Sequence, residues 1–407
     1  MLSIIFNTLL FSVMPIPDAL FLDQDLNFWC LKEFFTTNDK IVVYIFSFDE
    51  PMWEHDILFL KQQINNIAPL VCISKDKEFY KYVSTEFFKK HNLKLLFDPK
   101  GYNTKLNFGE EKKVVVVYKN LGYDEVDDLT QIRKKLIQKY NVNEEWKIIN
   151  LLITCGISGV LSACASCPET YNIGGWLQRE SILSAYKTKL QVYTIDLGNF
   201  LTRYATKEEV EKMLYAMVLS NYDKIVINEN EMDKLFDIYK NLIEEKQYEK
   251  FVLPVQKIQS FNKEEKQQGY DYKKIWQDKI NGLTVVYLPY QTKNYREIMK
   301  NITKNLQEKN IILVSNLGYF YDIEILNRFP EIKLVISGNH NYNVPQMIKY
   351  NDVPIIFPSK MSGYITRICL YVLKEEIKKV KVSLIPVLPT VKINSDLSKM
   401  LEEKMVK

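Results

Sequence analysis

Histidine is the scarcest of the chemistry-bearing residues: His55, His91 and His340 are the only three in 407 residues. Imidazole is the commonest protein ligand for transition metals and the side chain that titrates nearest neutral pH. A histidine-rich centre is therefore excluded by count. Cysteine is sparse too, with Cys30, Cys72, Cys155, Cys164, Cys167 and Cys369, too few for a disulfide-dense scaffold in a chain this long. Cys30, Cys72 and Cys369 sit among apolar residues and read as inert core thiols. No Cys-x-x-Cys-His occurs, so covalent c-type haem is not expected. No apolar run reaches the roughly 18 residues of a membrane span, so the folded body is expected to be soluble. Neither sign of charge dominates: 54 basic and 50 acidic side chains leave +4. That balance, with Lys interleaved among Glu and Asp, reads as a solvated surface and excludes a dedicated nucleic-acid binder.

What is present is ordinary globular material. With 47% hydrophobic and 26% charged residues, the chain can bury cores and is not disordered as a whole. Its length favours two domains. The opening "MLSIIFNTLLFSVM" has no Lys or Arg before Lys32. It has the length of a signal-peptide core but lacks a basic flank and a small-x-small cleavage site. Residues 1–15 are read as a signal or anchor segment, which makes the protein periplasmic or cell-envelope. A first buried strand or a truncated start is the other reading, and no membrane span beyond that anchor is expected.

Strand-like and helical runs alternate before residue 142. "KIVVYIFSF" (40–48), "LVCIS" (70–74), "LKLLF" (93–97) and "KVVVVY" (113–118) read as strands. Helical spacing covers Trp53 to Ile67, 77–90 and 128–140. Such alternation indicates an α/β layer fold with a mainly parallel sheet, here spanning 16–141. The polar "YNVNEEW" (140–146) reads as a linker. The pattern then restarts over 147–390 with continuous β-branched runs: 148–154, 190–196, 224–228, 283–289, 310–315 and 333–338. Strands buried on both faces look like this. Helices are expected at 206–220, 230–247 and 292–308, and three further strands at 353–357, 364–373 and 379–387. The polar stretch 257–280 reads as a surface excursion and 391–407 as a tail. Each strand of the second domain ends in a short polar loop, where layered α/β folds place ligands.

Those loops carry a resemblance. "LLITCGISGVL", "GGWLQRESIL", "TIDLGNFL", "VINENEMD", "VSNLGY" and "LVISGNHNYN" follow in order, at matching intervals, the blocks of the metallophosphoesterase superfamily. They are nearest its periplasmic 5'-nucleotidase branch. The likeness covers roughly 148–375 and implies a metallophosphoesterase-type α/β sandwich. It also implies two metal ions that position and deprotonate a water for attack on phosphorus, and here the ligands depart. Gly156 and Ser158 stand where the family has its first Asp and His, and Asn199 where it has the bridging Asp. Glu229 and Asn230 stand for its Asn-His pair, Asn316 for a metal His, and Asn339 and Asn341 for the last two. Asp196 matches only the acid before the bridging position. His340 falls between two ligand positions, so its side chain is expected to point away.

Such a dinuclear site needs about four imidazoles, and the second domain holds one. Neutral amides replace them poorly, because transition metals favour imidazole and carboxylate donors. The expectation is a fold that has lost dinuclear hydrolysis, with no cofactor assigned. The alternative is a divalent-metal phosphoesterase in which Asp196, Glu229, Glu231 and Asp233 hold Mg²⁺ or Ca²⁺ through oxygens. The other reading of those acids is a loop cap and solvated helix-start residues.

Cys164 and Cys167 form "CASC". This spacing suits a redox-active pair, half of a zinc site, a structural disulfide or two plain thiols. A cysteine loop before Gly-Gly resembles a subgroup of exported 5'-nucleotidase-like proteins that accompany multihaem cytochromes, which implies a redox or cytochrome partner. The first domain is similar to a thioredoxin-like redoxin through "PDALFLDQDLNFWCLKEFF" and "DKIVVYIFSFDEPMWEHDILFLKQQ". That family carries its thiolate at a helix N-terminus; this chain has Glu50, Pro51, Met52 and Trp53 there, so redox catalysis by this domain is not expected.

Overall fold

The computed structural model describes residues 19–405 apart from 24, 26, 51, 65–66, 77–84, 99–113, 119–122, 127–131, 138–145, 157–174, 202–204, 228–230, 232–249, 253–276, 290–294, 297–298, 301–309 and 389–390. The chain divides into two compact units, Met1–Ile148 and Ile149–Lys407. The 1–15 segment, most of the 140–146 linker and most of the 230–247 helix lie outside the described residues.

In the first unit the strands are β1 (Leu20–Asp23), β2 (Phe28–Cys30), β3 (Lys40–Phe46), β4 (Leu70–Ser74), β5 (Lys94–Phe97), β6 (Val114–Tyr118) and β7 (Tyr123–Glu125). Helices α1 (Trp53–Ile64), α2 (Thr85–Lys90) and α3 (Ile132–Ile137) connect or follow them. One sheet takes the order β2-β1-β5-β4-β3-β6-β7. The pair β3–β4 is parallel with α1 between them, and the antiparallel β6–β7 hairpin lies on the other side of β3. This is the thioredoxin-like arrangement. All seven residues of β3 but Lys40 are buried, which explains its unbroken apolar run. The β1–β2 hairpin is pinned by Asp23, whose carboxylate accepts from Asp25 N and Asn27 N, both 2.9 Å, and Trp29 Nε1 at 2.7 Å. At the start of α1, where a redoxin places its thiolate, Met52 is exposed with φ 74°. Trp53 stacks on Phe88, centroids 5.7 Å apart; Pro51 lies outside the described residues.

The second unit contains two six-stranded sheets. The first, in order β11-β10-β9-β8-β18-β19, is built from β8 (Trp146–Thr154), β9 (Val192–Asp196), β10 (Lys224–Val226), β11 (Phe251–Val252), β18 (Tyr364–Leu373) and β19 (Glu376–Pro386). Helices α4 (Trp176–Lys189) and α5 (Lys207–Leu219) precede β9 and β10. The second, in order β12-β13-β14-β15-β17-β16, comprises β12 (Gln277–Ile280), β13 (Leu283–Leu288), β14 (Ile311–Ser315), β15 (Ile332–Ser337), β16 (Gln346–Tyr350) and β17 (Val353–Phe357), with α6 (Tyr319–Arg328) after β14. Strands β8 to β11 run parallel, as do β13, β14, β15 and β17.

A polar tie joins the sheets: Tyr193 of β9 donates to Asp278 of β12. Tyr287 of β13 donates to the Tyr193 hydroxyl at 3.0 Å, and Lys224 of β10 lies 3.4 Å from Asp278. Three expectations are corrected. The sheet of the first unit is not mainly parallel: β3–β4 and β4–β5 are parallel, while β1–β2, β1–β5, β3–β6 and β6–β7 are antiparallel. The 257–280 excursion ends in strand β12, antiparallel to β13, so its polar "QDKI" is a sheet edge. The 391–407 tail carries helix α7 (Ser395–Met405). Among the described residues no helix is long and apolar enough to cross a membrane.

Candidate functional site

The parallel strands β8, β9, β14 and β15 end in adjoining loops. Gly156, just past β8, has φ +71° and its N–H donates to Gly198 O at 3.0 Å. A Cβ there would stand 2.7 Å from Lys360 O, so glycine alone fits. Asp196 is fully buried at the end of β9. One carboxylate oxygen accepts from Thr154 Oγ1 at 2.5 Å and the other from Gly198 N at 2.8 Å. Burial pushes its pKa up to about 6, against the hydrogen bond from Thr154 and the charge of Arg179. Asn199 follows in the left-handed region at φ 59°, its amide directed at Cys155 Sγ at 3.9 Å. Glu231, also buried, accepts from Phe200 N at 2.6 Å and Leu201 N at 3.1 Å and holds that loop down.

In the second sheet, Asn316 is buried after β14 and donates from Nδ2 to Leu197 O at 3.0 Å. Its carboxamide fills the space over Gly338, where a Cβ would lie 2.0 Å from Oδ1. Asn339 is exposed, its amide against Gly318, and Asn341 is exposed as well. His340 stacks on Tyr342 and meets Phe357 edge-on, with centroids 5.5 and 5.4 Å away. Its Nδ1 accepts from Tyr342 N at 3.0 Å. Burial, then the charge of Lys360, pushes its pKa down to about 4. The ring is therefore neutral at pH 7, with its proton on Nε2, and offers no ring lone pair to a metal.

Gly156, Asp196, Asn199, Asn316 and Asn339 thus lie on adjoining loops at the strand ends. Ser158, Cys164, Cys167 and Asn230 lie outside the described residues. Arg179, the basic residue of the "GGWLQRESIL" block, is fully buried in the first turn of α4; sequence reading passed over Asp322, buried in α6 and bonded to Ser337 Oγ at 2.7 Å. Gly318-x-x-x-Asp322 and the basic residue three positions after Trp176 were visible as patterns, but burial is a tertiary property. Of the four acids expected to hold a hard cation, Glu229 and Asp233 lie outside the described residues. Asp196 and Glu231 are committed to backbone and hydroxyl donors. Among the described residues no group of three or more His, Cys, Asp or Glu could hold a metal ion. Among the described residues, the polar side chains at these strand ends make hydrogen bonds within the chain.

No family model matches the chain, and no curated protein matches it. Solved structures do. The NAD nucleotidase of Haemophilus influenzae aligns at 14% identity and TM-score 0.42, over 64% of this chain and 56% of its own. A 5'-nucleotidase precursor from Thermus thermophilus aligns at 12% identity and TM-score 0.45, over 64% of this chain and 58% of its own. The chain thus spans less than two thirds of these proteins. An exposed lipoprotein thioredoxin of Streptococcus pneumoniae aligns over a smaller part, 30% of this chain and 98% of its own, at 12% identity and TM-score 0.24.

Proposed function

We propose that the second unit is a non-hydrolytic binding module on a metallophosphoesterase-type architecture, and that the chain works in the cell envelope beside a thiol-redox or cytochrome partner. The observation that carries the first part is the commitment of the donors at the strand ends. Asp196 and Glu231 accept hydrogen bonds from the strand and loops they brace, Asn316 is tied to Leu197, and His340 has turned its Nδ1 to the backbone. A hydrolase of this architecture needs those positions to face a pair of cations. What is left at the strand ends is amides and backbone groups, chemistry suited to holding a polar ligand without attacking it. The partnership rests on Cys164 and Cys167, whose spacing is that of a thiol pair able to cycle.

The test is metal analysis of the purified full chain together with turnover of a chromogenic phosphate ester in added Mg²⁺, Mn²⁺ or Zn²⁺. The binding reading expects substoichiometric metal and no turnover with any of the three. One or two metal ions per chain, with turnover abolished by Asp196→Ala, would establish the phosphoesterase instead. For the thiol pair, mild reduction followed by maleimide should label Cys164 and Cys167. Failure of both to react removes the redox partnership.

A further inference from the structure

Each of the three sheets ends in two edge strands, and all but one of these edges are blunted. Strands β2, β7 and β11 are only two or three residues long. β12 carries Asp278 and Lys279, and β19 carries Lys378, Lys379 and Lys381. Short edges and edge charges stop one chain's sheet from pairing with another's. β16, the remaining edge, is built differently. It runs five residues with a single charge, Lys349. Among the described residues it is the only edge strand with exposed large apolar side chains, Met347 at 47% and Ile348 at 38%. The two stand on opposite faces. Ile348 lies opposite Ile355 of β17, on the face that packs against α6, and Met347 lies opposite Ile356 on the other. An aromatic surface adjoins the start of the strand. Phe357, paired with Gln346, meets Tyr342 at 5.2 Å and Tyr319 at 6.1 Å between ring centroids, and Tyr319 meets Phe320 at 6.1 Å. Phe320 is 87% exposed.

The outward row of N–H and C=O groups on an edge strand is completed by another strand, and an exposed apolar patch beside it marks an interaction surface. The residues of β16 select the occupant. A parallel twin would lay Lys349 against Lys349, like charge on like charge. An antiparallel twin centred on Ile348 sets Ile348 against itself, Gln346 against Tyr350 and Met347 against Lys349. Residues opposite one another share a face, so Met347 lies along the alkyl stem of Lys349 while the ammonium stays in water. No like charges meet. A twofold interface requires this self-complementarity. We infer that β16 pairs antiparallel with β16 of a second copy of this chain, about a twofold axis at Ile348, with the Phe320 surface beside the contact. The pairing uses no residue at the ends of β8, β9 or β14, so it stands whether or not those ends prove hydrolytic.

The experiment is sedimentation velocity of the full chain over roughly 1–100 μM, where a contact of this small size is populated. The weight-average mass should rise with concentration from one chain toward two. Ile348→Lys and Ile348→Glu each bring like charges together on the axis and should each hold the protein monomeric throughout. Their melting midpoints should match the wild type at low concentration, because Ile348 is exposed. Mixed in equal parts, the two variants bring opposite charges together and should restore the dimer. Lys349→Glu, which changes a residue opposite Met347, should still dimerise. A wild type that stays monomeric across the range overturns the pairing, even if it floats with anionic vesicles, which would assign the patch to a lipid surface. A dimer unaltered by either Ile348 substitution, or one that mixing fails to restore, overturns it as well.

Discussion

Gly338 marks the tightest packing between the strand-end loops. A methyl group there would fall 2.0 Å from Asn316 Oδ1, so Gly338→Ala must swing the carboxamide out and break its bond to Leu197 O. A buried amide then loses its partner, which costs about 1–3 kcal/mol. Urea unfolding should show a lower midpoint with unchanged slope. The cysteines give a second prediction at this scale. Cys30, Cys72, Cys155 and Cys369 are all buried, and burial pushes the Cys155 thiol up to about 12. Thiolate, the reactive form, is scarce at such sites. Native protein at pH 7.5 should expose no more than two of its six thiols to maleimide, and all six only after denaturation, counted by intact mass.

Elements were the most legible level of the sequence. Unbroken β-branched runs such as "IILVS" and "VVVVY" could only be strands covered on both faces, and β14 and β6 are such strands. Helix α5 announces itself by Thr206 three residues before Glu209. The hydroxyl accepts from Glu209 N at 3.3 Å while the carboxylate accepts from Thr206 N at 2.7 Å, a capping box. Thr206→Ala should cost about 1 kcal/mol, a fall of ~2–4 °C in a domain of this size by calorimetry. Edge elements were less legible. Strand β16 is exposed along four of its five residues and β12 buries only Ile280, so neither carries the apolar run that marks a central strand. Helix α7 was hidden in the same way, in a polar segment whose side of contact only the folded chain supplies.

At the scale of the whole molecule, buried acids set the response to pH. Desolvation raises Asp196 and Asp322 to about 6 from the ordinary 3.8, and Glu180 to about 7 from 4.5. Each folded pKa exceeds its unfolded value, so the native state holds more protons. Stability is then fullest below pH 4 and is lost as pH rises toward 6 and 7. His340 opposes this: its pKa falls to about 4 from 6.5, so its contribution grows over pH 4 to 6.5. Three groups outweigh one. Thermal melts should give a higher midpoint at pH 5 than at pH 6.5, and Asp196→Asn should flatten that slope and raise the pH 7.5 midpoint. A midpoint rising from pH 5 to 6.5 in wild type, unaltered in the variant, would refute the burial of Asp196.

Residue order alone determined the two α/β units, the strand ends as the place to look, and the shortage of imidazole there, because periodicity and composition are properties of a chain before it folds. Only the tertiary structure decided that Asp196 and Glu231 brace loops, that His340 turns to its own backbone, and that Arg179 is sealed beneath the first turn of α4. Whether a polar atom is satisfied depends on neighbours 30 to 183 positions away along the chain, and such distances close only when the sheets stack.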